Sequence, residues 1–506
     1  MKWYWNRLGL VLVFSILAAL LSMLAGRFRM PSSIPQTPPA AAAPAVPFRV
    51  IVVGSGLAGL SASSELVARG VAVHILERQP KPGGNSIKAS SGINGVPTRF
   101  QAPGSDTVAE FYNDTLRSAG ASFRASKTEA RQKLIAELTD SSASAINWLV
   151  DEKGVDLSRV AQLGGHSHPR THRGAGPTPP GASIVLTLLK QLQASPLVTL
   201  QTGATVTKIL KSDGEVVGVQ VSRDGTPETV DGPVVFTAGG FAGDSTGLLA
   251  QYRPDLEGFP STNEALPGSQ TLLTDVGAHL VDMEQVQVHP TGFVDPKEPF
   301  KRTKFLAAEM LRGEGGILLR QGQRFINELK LRKNVTDAIM AQPPKDVQPT
   351  KQWDIQILLD EATYEAAKAH VDFYIWKGLM RKTTVSELAH SDLVLETLKQ
   401  YAATVQGTDP DPLGRSAFGH WGLQDPTPES TVYVGTVTPV VHYTMGGAIF
   451  SPQAEVLDGS GKPIKGLWAA GESTGGIHGE NRLGGSSLLE CVVFGRIAGQ
   501  NAAKAR

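Results

Sequence analysis

From residue 48 onward, short apolar runs alternate with longer segments of helical period, and glycine or proline separates one from the next. The first run, at residues 48–53, is rich in β-branched side chains, and the helical pattern after it ends near residues 69–70. A second apolar run covers residues 71–76 and stops at Glu77. This alternation predicts strands joined by helices, which is the pattern of an α/β domain.

The same strand and helix patterns divide the rest of the chain into a strand-rich part and a more helical part. Residues 198–221 indicate further strands with glycine turns after Asp213 and Asp224, and residues 234–241 indicate a buried strand that ends in glycines. Residues 283–442 differ, because they are more charged and favour helices with long polar loops. Since a glycine-rich run resumes at residues 466–499, we interpret this middle part as a domain inserted into the first one.

The first strand leads directly into a G-x-G-x-x-G motif formed by Gly54, Gly56 and Gly59. In a strand–helix–strand unit these glycines allow a tight turn, the approach of a pyrophosphate and close packing of helix on strand. Glu77 stands where an acidic residue accepts a ribose hydroxyl. Together the first strand, the helix, the second strand and the acidic residue that ends it predict a nucleotide-binding unit.

The glycine-rich run at residues 466–499 surrounds one arginine, Arg482. Glycines allow backbone to approach a ligand closely, and a guanidinium binds a planar anion through two parallel hydrogen bonds. The simpler interpretation is a loop whose arginine caps a helix or contacts a cofactor phosphate.

The composition excludes several kinds of partner and metal site. The net charge of +1 indicates no affinity for nucleic acid. The single cysteine, Cys491, excludes an intrachain disulfide, a C-x-x-C-H haem site and cysteine-based zinc or iron–sulfur sites. Any redox chemistry therefore requires an organic cofactor.

The amino-terminal segment predicts membrane attachment. Residues 8–25 carry no charge, and we interpret residues 1–30 as an uncleaved signal anchor, followed by a Pro/Ala-rich linker at residues 31–47. This favours a membrane-anchored protein of the endoplasmic reticulum and secretory pathway, with the mitochondrial intermembrane space as the alternative.

Several motifs occur in an order that resembles one family: the fumarate reductase/succinate dehydrogenase flavoprotein superfamily, and within it the soluble fungal and protist fumarate reductases. Besides the two glycine-rich signatures, the motifs begin at Gly83, Val288, Glu309, His442 and Asn481. The resemblance implies a Rossmann-like FAD-binding domain, residues 48–283 and 443–506, interrupted by an α+β capping domain, residues 284–442.

The resemblance also implies which residues contact FAD: Gly54, Ser55, Gly56, Leu57, Ala58, Gly59, Glu77, Asn85, Ser86, Ser91, Gly92, Ala238, Glu472, Ser487 and Leu488. Membrane-bound respiratory members attach FAD through a histidine at the position of Asn85. Because an amide cannot form that bond, we expect FAD to be non-covalent.

By the same resemblance, His289, His442, Arg482 and Gly485 bind the substrate. Reduced flavin N5 delivers a hydride to fumarate, giving succinate, while Arg332 donates a proton that Glu309 and Arg312 replace. On residues alone, Glu309 and Arg312 also fit an ordinary surface ion pair three positions apart on a helix.

The chain departs from the family at two places. Leu331-Arg332-Lys333 replaces Thr-Arg-Asp around the donor, and residues 267–270 replace a Thr-Gly-Asp-Gly that lies against the flavin. Two alternatives therefore stay open: an oxidoreductase for another unsaturated acid or an amino acid, and a membrane-tethered flavin-binding protein with impaired catalysis. Without cysteine ligands for haem or clusters, electrons are expected from a diffusible carrier such as free reduced flavin.

Overall fold

The structure, a computed structural model, describes residues 48–125, 128–345 and 350–505. The strands are β1 (Arg49–Val53), β2 (Ala72–Glu77), β3 (Ile93–Asn94), β4 (Arg159–Ala161), β5 (Thr171–Arg173), β6 (Val198–Thr202), β7 (Thr205–Ser212), β8 (Glu215–Arg223), β9 (Thr226–Asp231), β10 (Val234–Phe236), β11 (Leu280–Val281), β12 (Val286–Phe293), β13 (Ile317–Arg320), β14 (Gln323–Arg324), β15 (Ile355–Leu359), β16 (Arg381–Thr384), β17 (Thr431–Thr444), β18 (Gly447–Ala448), β19 (Glu455–Leu457) and β20 (Pro463–Ala469).

The α-helices are α1 (Leu57–Ala68), α2 (Val108–Ser118), α3 (Gly120–Ala125), α4 (Glu129–Asp140), α5 (Ser142–Asn147), α6 (Pro180–Gln193), α7 (Leu248–Tyr252), α8 (Thr271–Thr274), α9 (Met310–Gly313), α10 (Arg332–Met340), α11 (Glu361–Ala366), α12 (Lys368–Trp376), α13 (Ser391–Val405) and α14 (Ser486–Ala502). Short 3₁₀ turns lie at Asn85–Lys88, Pro254–Leu256, Val385–Glu387 and Gly471–Ser473, and a π turn lies at Trp148–Glu152.

The first apolar runs form the centre of a six-stranded sheet with the order β19-β20-β10-β1-β2-β6. All neighbours are parallel except β19 and β20. Val50, Ile51 and Val52 of β1 are completely buried, as expected for a parallel strand covered on both faces. The α/β prediction is confirmed.

Two helices from opposite ends of the chain pack on each other beside this sheet. Helix α1 connects the parallel strands β1 and β2, and α14 lies against it. A Cβ atom at Gly499 of α14 would lie only 2.3 Å from the carbonyl oxygen of Ala62 in α1. Small residues at this contact therefore let the two helices approach closely enough to bring the carboxyl-terminal run to the first strand–helix–strand unit.

The middle of the chain forms a second sheet, with the order β12-β17-β15-β13-β14 and β16 also paired with β17. The residue pattern, which favoured helices with long polar loops here, is therefore wrong, although helices α9 to α13 flank the strands. The α+β character that the family resemblance implies for this segment agrees with the sheet. Strand β17 is fourteen residues long and mostly buried, so its apolar residues do not alternate with polar ones and give no clear strand period. The exact domain boundaries stay a prediction.

Residues 205–231 form a separate antiparallel sheet of β7, β8 and β9. The two predicted turns join its strands. Asp213 and Gly214 have φ of 49° and 85°, and Asp224 and Gly225 have φ of 47° and 81°, which are the left-handed values that tight hairpins require. The next predicted strand, at residues 234–241, ends already at Phe236, and its glycines form a loop.

The predicted signal anchor and linker, residues 1–47, lie outside the described residues. Within the described part of the chain, no helix has the length and apolar character needed to cross a bilayer.

Candidate functional site

The cofactor-binding residues predicted from the sequence collect at one edge of the six-stranded sheet. The loop at residues 54–59 follows β1, Glu77 ends β2, Ala238 follows β10 and Glu472 follows β20. Because these four strands are parallel, their carboxyl ends meet at the same edge. Nucleotide cofactors bind at that edge in open α/β sheets.

The turn between β1 and α1 is closely packed at two glycines and open at the third. Gly54 has φ of +99°, and a Cβ atom there would lie 2.5 Å from the carbonyl oxygen of Thr237. A Cβ at Gly59 would lie 2.1 Å from the oxygen of Gly54. At Gly56, which precedes α1, the nearest atom would be Ser86 Oγ at 3.7 Å. The positive end of α1 therefore faces space that suits a pyrophosphate.

Glu77 closes this turn from the second strand. Its Oε2 accepts hydrogen bonds from the backbone N–H of Ser55 at 3.0 Å and from the Ser55 hydroxyl at 2.5 Å, and its Oε1 accepts one from Gln79 N at 2.8 Å. A carboxylate oxygen accepts about two hydrogen bonds. Oε1 therefore keeps capacity for a ribose hydroxyl.

Asn85 is exposed, and it is linked to the second sheet. Its amide donates to the Asn263 side-chain oxygen, and the Asn263 amide donates to the backbone carbonyl of His442 at 2.9 Å. The neighbouring Ser86 accepts a hydrogen bond from Leu57 N at 3.1 Å, at the start of α1. These two predicted contacts thus connect the cofactor edge to the strand that carries His442.

The remaining predicted cofactor contacts lie just before β3 and in the first turn of α14: Ser91, Gly92, Ser487 and Leu488. Asn94 of β3 holds the two elements together. Its amide donates to the carbonyl of Gly484 at 2.9 Å and to the Ser486 hydroxyl at 3.0 Å.

His289 lies on β12 and is completely buried. Its Nδ1 accepts the backbone N–H of Thr291 at 3.2 Å, so Nε2 carries the ring proton. This Nε2 is buried and has no hydrogen-bond partner in the part of the chain that the structure describes. Burial, then the charge of Arg332, holds the pKa of His289 well below its ordinary value. The side chain is therefore a neutral donor that lacks an acceptor.

His442 faces His289 across a β-bulge. The register of β12 and β17 shifts at this point, which leaves His442 as an extra residue on β17, and bulges of this kind redirect side chains. The two imidazole centroids are 5.3 Å apart, and His442 Nδ1 lies 2.9 Å from the Thr262 hydroxyl. Burial, followed by Arg332 and Arg482, lowers the pKa of His442 well below its ordinary value, so this ring is neutral too.

Arg482 is buried without an anionic partner. Its Nη1 donates to the carbonyl of Leu483 at 3.0 Å and its Nη2 to Gln287 Oε1 at 3.3 Å, while Nε has no partner among the residues that the structure describes. No carboxylate of the described residues forms a salt bridge with it. Burial and the nearby Arg332 lower the pKa of Arg482 to about 9. The guanidinium is thus a buried cation that no carboxylate of the described residues contacts directly.

Arg332, Glu309 and Arg312 form a buried chain. Arg332 Nε donates to Glu309 Oε2 at 2.6 Å, and Arg312 Nη2 lies 3.9 Å from Glu309 Oε1. Glu309 is 1% exposed and Arg312 is 0% exposed, so the alternative of a surface ion pair is wrong. Burial raises the pKa of Glu309, but the two arginines outweigh it and hold the pKa below the ordinary value. Glu309 is therefore a carboxylate between two cations.

Sequence reasoning missed Gln287. Its Oε1 accepts from Arg332 Nη1 at 2.9 Å and from Arg482 Nη2 at 3.3 Å, and its amide donates to the carbonyl of Arg482 at 2.8 Å. It therefore joins the predicted proton donor to the predicted substrate clamp. The one available signal was its place two residues before His289, which puts both side chains on one face of a strand.

The predicted substrate contact Gly485 precedes α14 and packs against β3. A Cβ atom at Gly485 would meet Asn94 Oδ1 at 2.2 Å, and one at the neighbouring Gly484 would meet Glu309 Oε2 at 2.7 Å. This turn therefore lies beside Glu309, and the role of Gly485 in substrate binding stays a prediction.

The two departures from the family pattern leave this pocket intact. Lys333 points outward and pairs with Asp337 at 2.6 Å, both about half-exposed. Gln270 is buried and donates to the carbonyl of Gly239 at 2.9 Å. Its amide therefore supports the loop after β10 without a charge.

The sequence matches the profile of the family described as "FAD binding domain" over residues 49–488. It is 44% identical over 477 residues to Fumarate reductase 1 of Saccharomyces cerevisiae, covering 90% of this chain and 99% of the yeast protein. It is 41% identical over 475 residues to Fumarate reductase of Schizosaccharomyces pombe, covering 90% and 89% of the two chains.

Among solved structures, the fold is similar to the open conformation of a flavocytochrome c3 fumarate reductase. The TM-score is 0.70 at 32% identity, and the match covers 92% of this chain and 79% of the other.

Proposed function

Since this chain belongs to the FAD-binding flavoprotein family that includes the fumarate reductases, we propose that it reduces fumarate to succinate. The observation that carries the proposal is a pair of buried N–H donors without acceptors, His289 Nε2 and Arg482 Nε, in one cationic pocket. Buried donors are normally hydrogen-bonded. A small dicarboxylate supplies both the missing acceptors and the missing negative charge.

The pocket suits a dianion for electrostatic reasons. Arg482 offers a planar fork that grips a carboxylate through two hydrogen bonds. His289 and His442 are neutral, so each can donate one N–H without adding to the repulsion among the arginines. The same groups stabilise negative charge that develops beside a carboxylate during reduction.

Reduction adds two electrons and two protons across the double bond of fumarate. When bound, reduced FAD supplies the hydride for one carbon. The other carbon requires a proton, and Arg332 holds one at the edge of the pocket. Arg312, 3.9 Å behind Glu309, then transfers a proton to this carboxylate, and Glu309 passes it across the 2.6 Å contact to the neutral Arg332, while Arg312 takes up a proton from solvent. The chain of three gives a strongly basic side chain an immediate source of replacement protons.

We propose further that FAD is held without a covalent bond. The amide of Asn85, which occupies the position of the attaching histidine in membrane-bound relatives, is not a nucleophile. Acid precipitation of the purified protein should therefore release all flavin into the supernatant. Flavin that stays with the precipitate would contradict this. The diffusible reductant, the membrane anchor and the location in the secretory pathway likewise remain proposals that rest on the sequence.

The activity is tested with the full-length protein. We expect the anaerobically reduced protein to recover the absorbance of oxidised flavin when fumarate is added, with one succinate formed per flavin. If the flavin stays reduced after fumarate is added but reoxidises with another enoic acid of a panel, that acid is the substrate in place of fumarate. Persistence with every acid would favour the alternative of a flavin-binding protein with impaired catalysis.

Arg332 is tested by a matched pair of variants on α10. Arg332→Ala should retain FAD and lose at least about 100-fold in turnover, as expected for loss of an acid catalyst. Lys333→Ala removes the adjacent exposed cation and should behave as wild type. Equal turnover in both variants would refute the assignment of Arg332 as the proton donor.

A further inference from the structure

Glu490 is a buried carboxyl group that the proposed reaction does not use. It lies in α14, eight residues after Arg482, and it is 2% exposed. No lysine or arginine of the described residues forms a salt bridge with it; its ionisable neighbour is His478, whose Nε2 lies 2.5 Å from Glu490 Oε2. Burying a carboxyl group without a cation is costly, so this arrangement requires an explanation.

The second oxygen of Glu490 binds the strand of the substrate clamp. The hydroxyl of Tyr443 donates to Glu490 Oε1, and Tyr443 follows His442 directly on β17. Tyr443 is 6% exposed and His478 is 3% exposed, so water competes little with either contact. Both oxygens of Glu490 are therefore engaged by buried side chains.

The ring of Tyr443 in turn contacts the clamp arginine. The guanidinium carbon of Arg482 lies 4.2 Å from the centroid of this ring, within the range of a cation–π interaction. Among the described residues, the other groups that fix Arg482 are two hydrogen-bond acceptors, the carbonyl of Leu483 and the side chain of Gln287. The ring is thus the surface that sets the tilt of the guanidinium.

We propose that Glu490 and His478 are positioning residues that hold Arg482 in place through Tyr443. The carboxyl group fixes the phenol, the phenol ring fixes the guanidinium, and the guanidinium grips the substrate carboxylate. The inference rests on the proposed function for its ligand, a dicarboxylate.

The protonation states of Glu490 and His478 explain why a carboxyl group can be buried here without a cation. Burial raises the pKa of Glu490 well above its ordinary value, and burial together with Arg482 lowers the pKa of His478. Glu490 is therefore a neutral acid that donates its O–H to His478 Nε2 and accepts from Tyr443. A neutral network orients Arg482 without cancelling the positive charge that binds the substrate.

This assignment makes a sharp distinction between two substitutions. Glu490→Gln keeps an oxygen for Tyr443 and an N–H for His478, so KM for fumarate should stay within about twofold of wild type. Glu490→Ala removes both contacts and frees the phenol. We expect KM to rise about tenfold, equivalent to ~1.4 kcal/mol, which lies between the values for an exposed and a desolvated cation–π contact. The turnover number should fall less than KM rises.

A control separates positioning from a general loss of stability. Glu65 of α1 is a buried glutamate too, but it pairs with Arg496 at 2.6 Å and with Arg69. Glu65→Ala should lower the melting temperature and leave KM unchanged. A purely structural role for Glu490 would give the same result for Glu490→Ala, namely less folded holoprotein with a normal KM, and that outcome would overturn the proposal.

Binding of malonate to the oxidised holoprotein, followed through the flavin spectrum, gives a readout that needs no turnover. If wild type binds no dicarboxylate, the proposed function fails. If wild type and Tyr443→Phe bind malonate equally, the positioning network fails, because this variant keeps the ring and loses only the hydrogen bond to Glu490. We expect Tyr443→Phe to bind about threefold to tenfold more weakly, and it serves as the test should Glu490→Ala not fold.

Discussion

Replacing Glu309 by Gln tests the proton relay with the smallest change of shape. Glu309 Oε2 accepts from Arg332 Nε at 2.6 Å, and its Oε1 accepts from Gly164 N at 3.1 Å and lies 3.9 Å from Arg312 Nη2. The amide of Gln keeps one oxygen for Arg332. Its NH₂ group then faces the N–H of Gly164 and the guanidinium of Arg312, so that hydrogen-bond donors face each other without an acceptor.

The size of the effect follows from the charges. Two unit charges about 4 Å apart interact with about 4 kcal/mol at the effective dielectric constant of a protein site, and removing one partner of a buried ion pair costs about 3–5 kcal/mol. Two arginines lose their shared carboxylate in Glu309→Gln. We therefore expect a lower melting temperature together with a fall in kcat of about 10²–10⁴-fold, the contribution of general acid catalysis.

The assay measures kcat and KM for fumarate under anaerobic conditions, together with bound FAD and melting temperature. KM should change much less than kcat, because the proposed substrate ligands are His289, His442 and Arg482 and not Glu309. Asp337→Asn is the control, since it breaks an exposed ion pair with Lys333 on the same helix as Arg332 and should cost less than about 1 kcal/mol. A kcat of Glu309→Gln equal to that of this control, in folded FAD-containing protein, would refute the relay.

Two further results are expected. Arg482→Met should raise KM for fumarate by at least about 100-fold, because charge-assisted hydrogen bonds contribute about 1.5–3 kcal/mol each; an unchanged KM from initial rates would show that the clamp is misassigned. Burial lowers the pKa of His166 and of His172 from 6.5 to about 4, so below pH 6.5 the unfolded chain takes up protons that the folded protein excludes. The contribution of each histidine to the free energy of unfolding should therefore be fully present above about pH 6.5 and decline by ~1.4 kcal/mol per pH unit as the pH falls towards 4. Denaturant midpoints that stay constant from about pH 7 to 5 would contradict this.

The cofactor-binding unit could be predicted from a short stretch of sequence. Gly54, Gly56, Gly59 and Glu77 lie within one contiguous strand–helix–strand segment, so their spacing along the chain dictates their spacing in space. The motifs around His289, Glu309, His442 and Arg482 also predicted which residues form the pocket. This prediction came only from resemblance to a family, and it did not say how the residues are arranged. The hairpin turns at Asp213 and Asp224 were predictable because their left-handed backbone is a local property.

The hydrogen bonds that connect the pocket residues could not be predicted, because they join segments that are distant in the sequence. Gln287 joins Arg332 and Arg482 across sequence separations of 45 and 195 residues, and such contacts depend on which strands pair. The residue pattern also missed the second sheet, which only the α+β capping domain of the family resemblance implied. The long central strand of this sheet is buried on both faces and so lacks the polar–apolar alternation that marks a strand. Glu490 looked like one polar residue of a carboxyl-terminal helix. Only the packing of α14 beside β17, which excludes water from Tyr443 and His478, turned its carboxyl group into a support for the clamp.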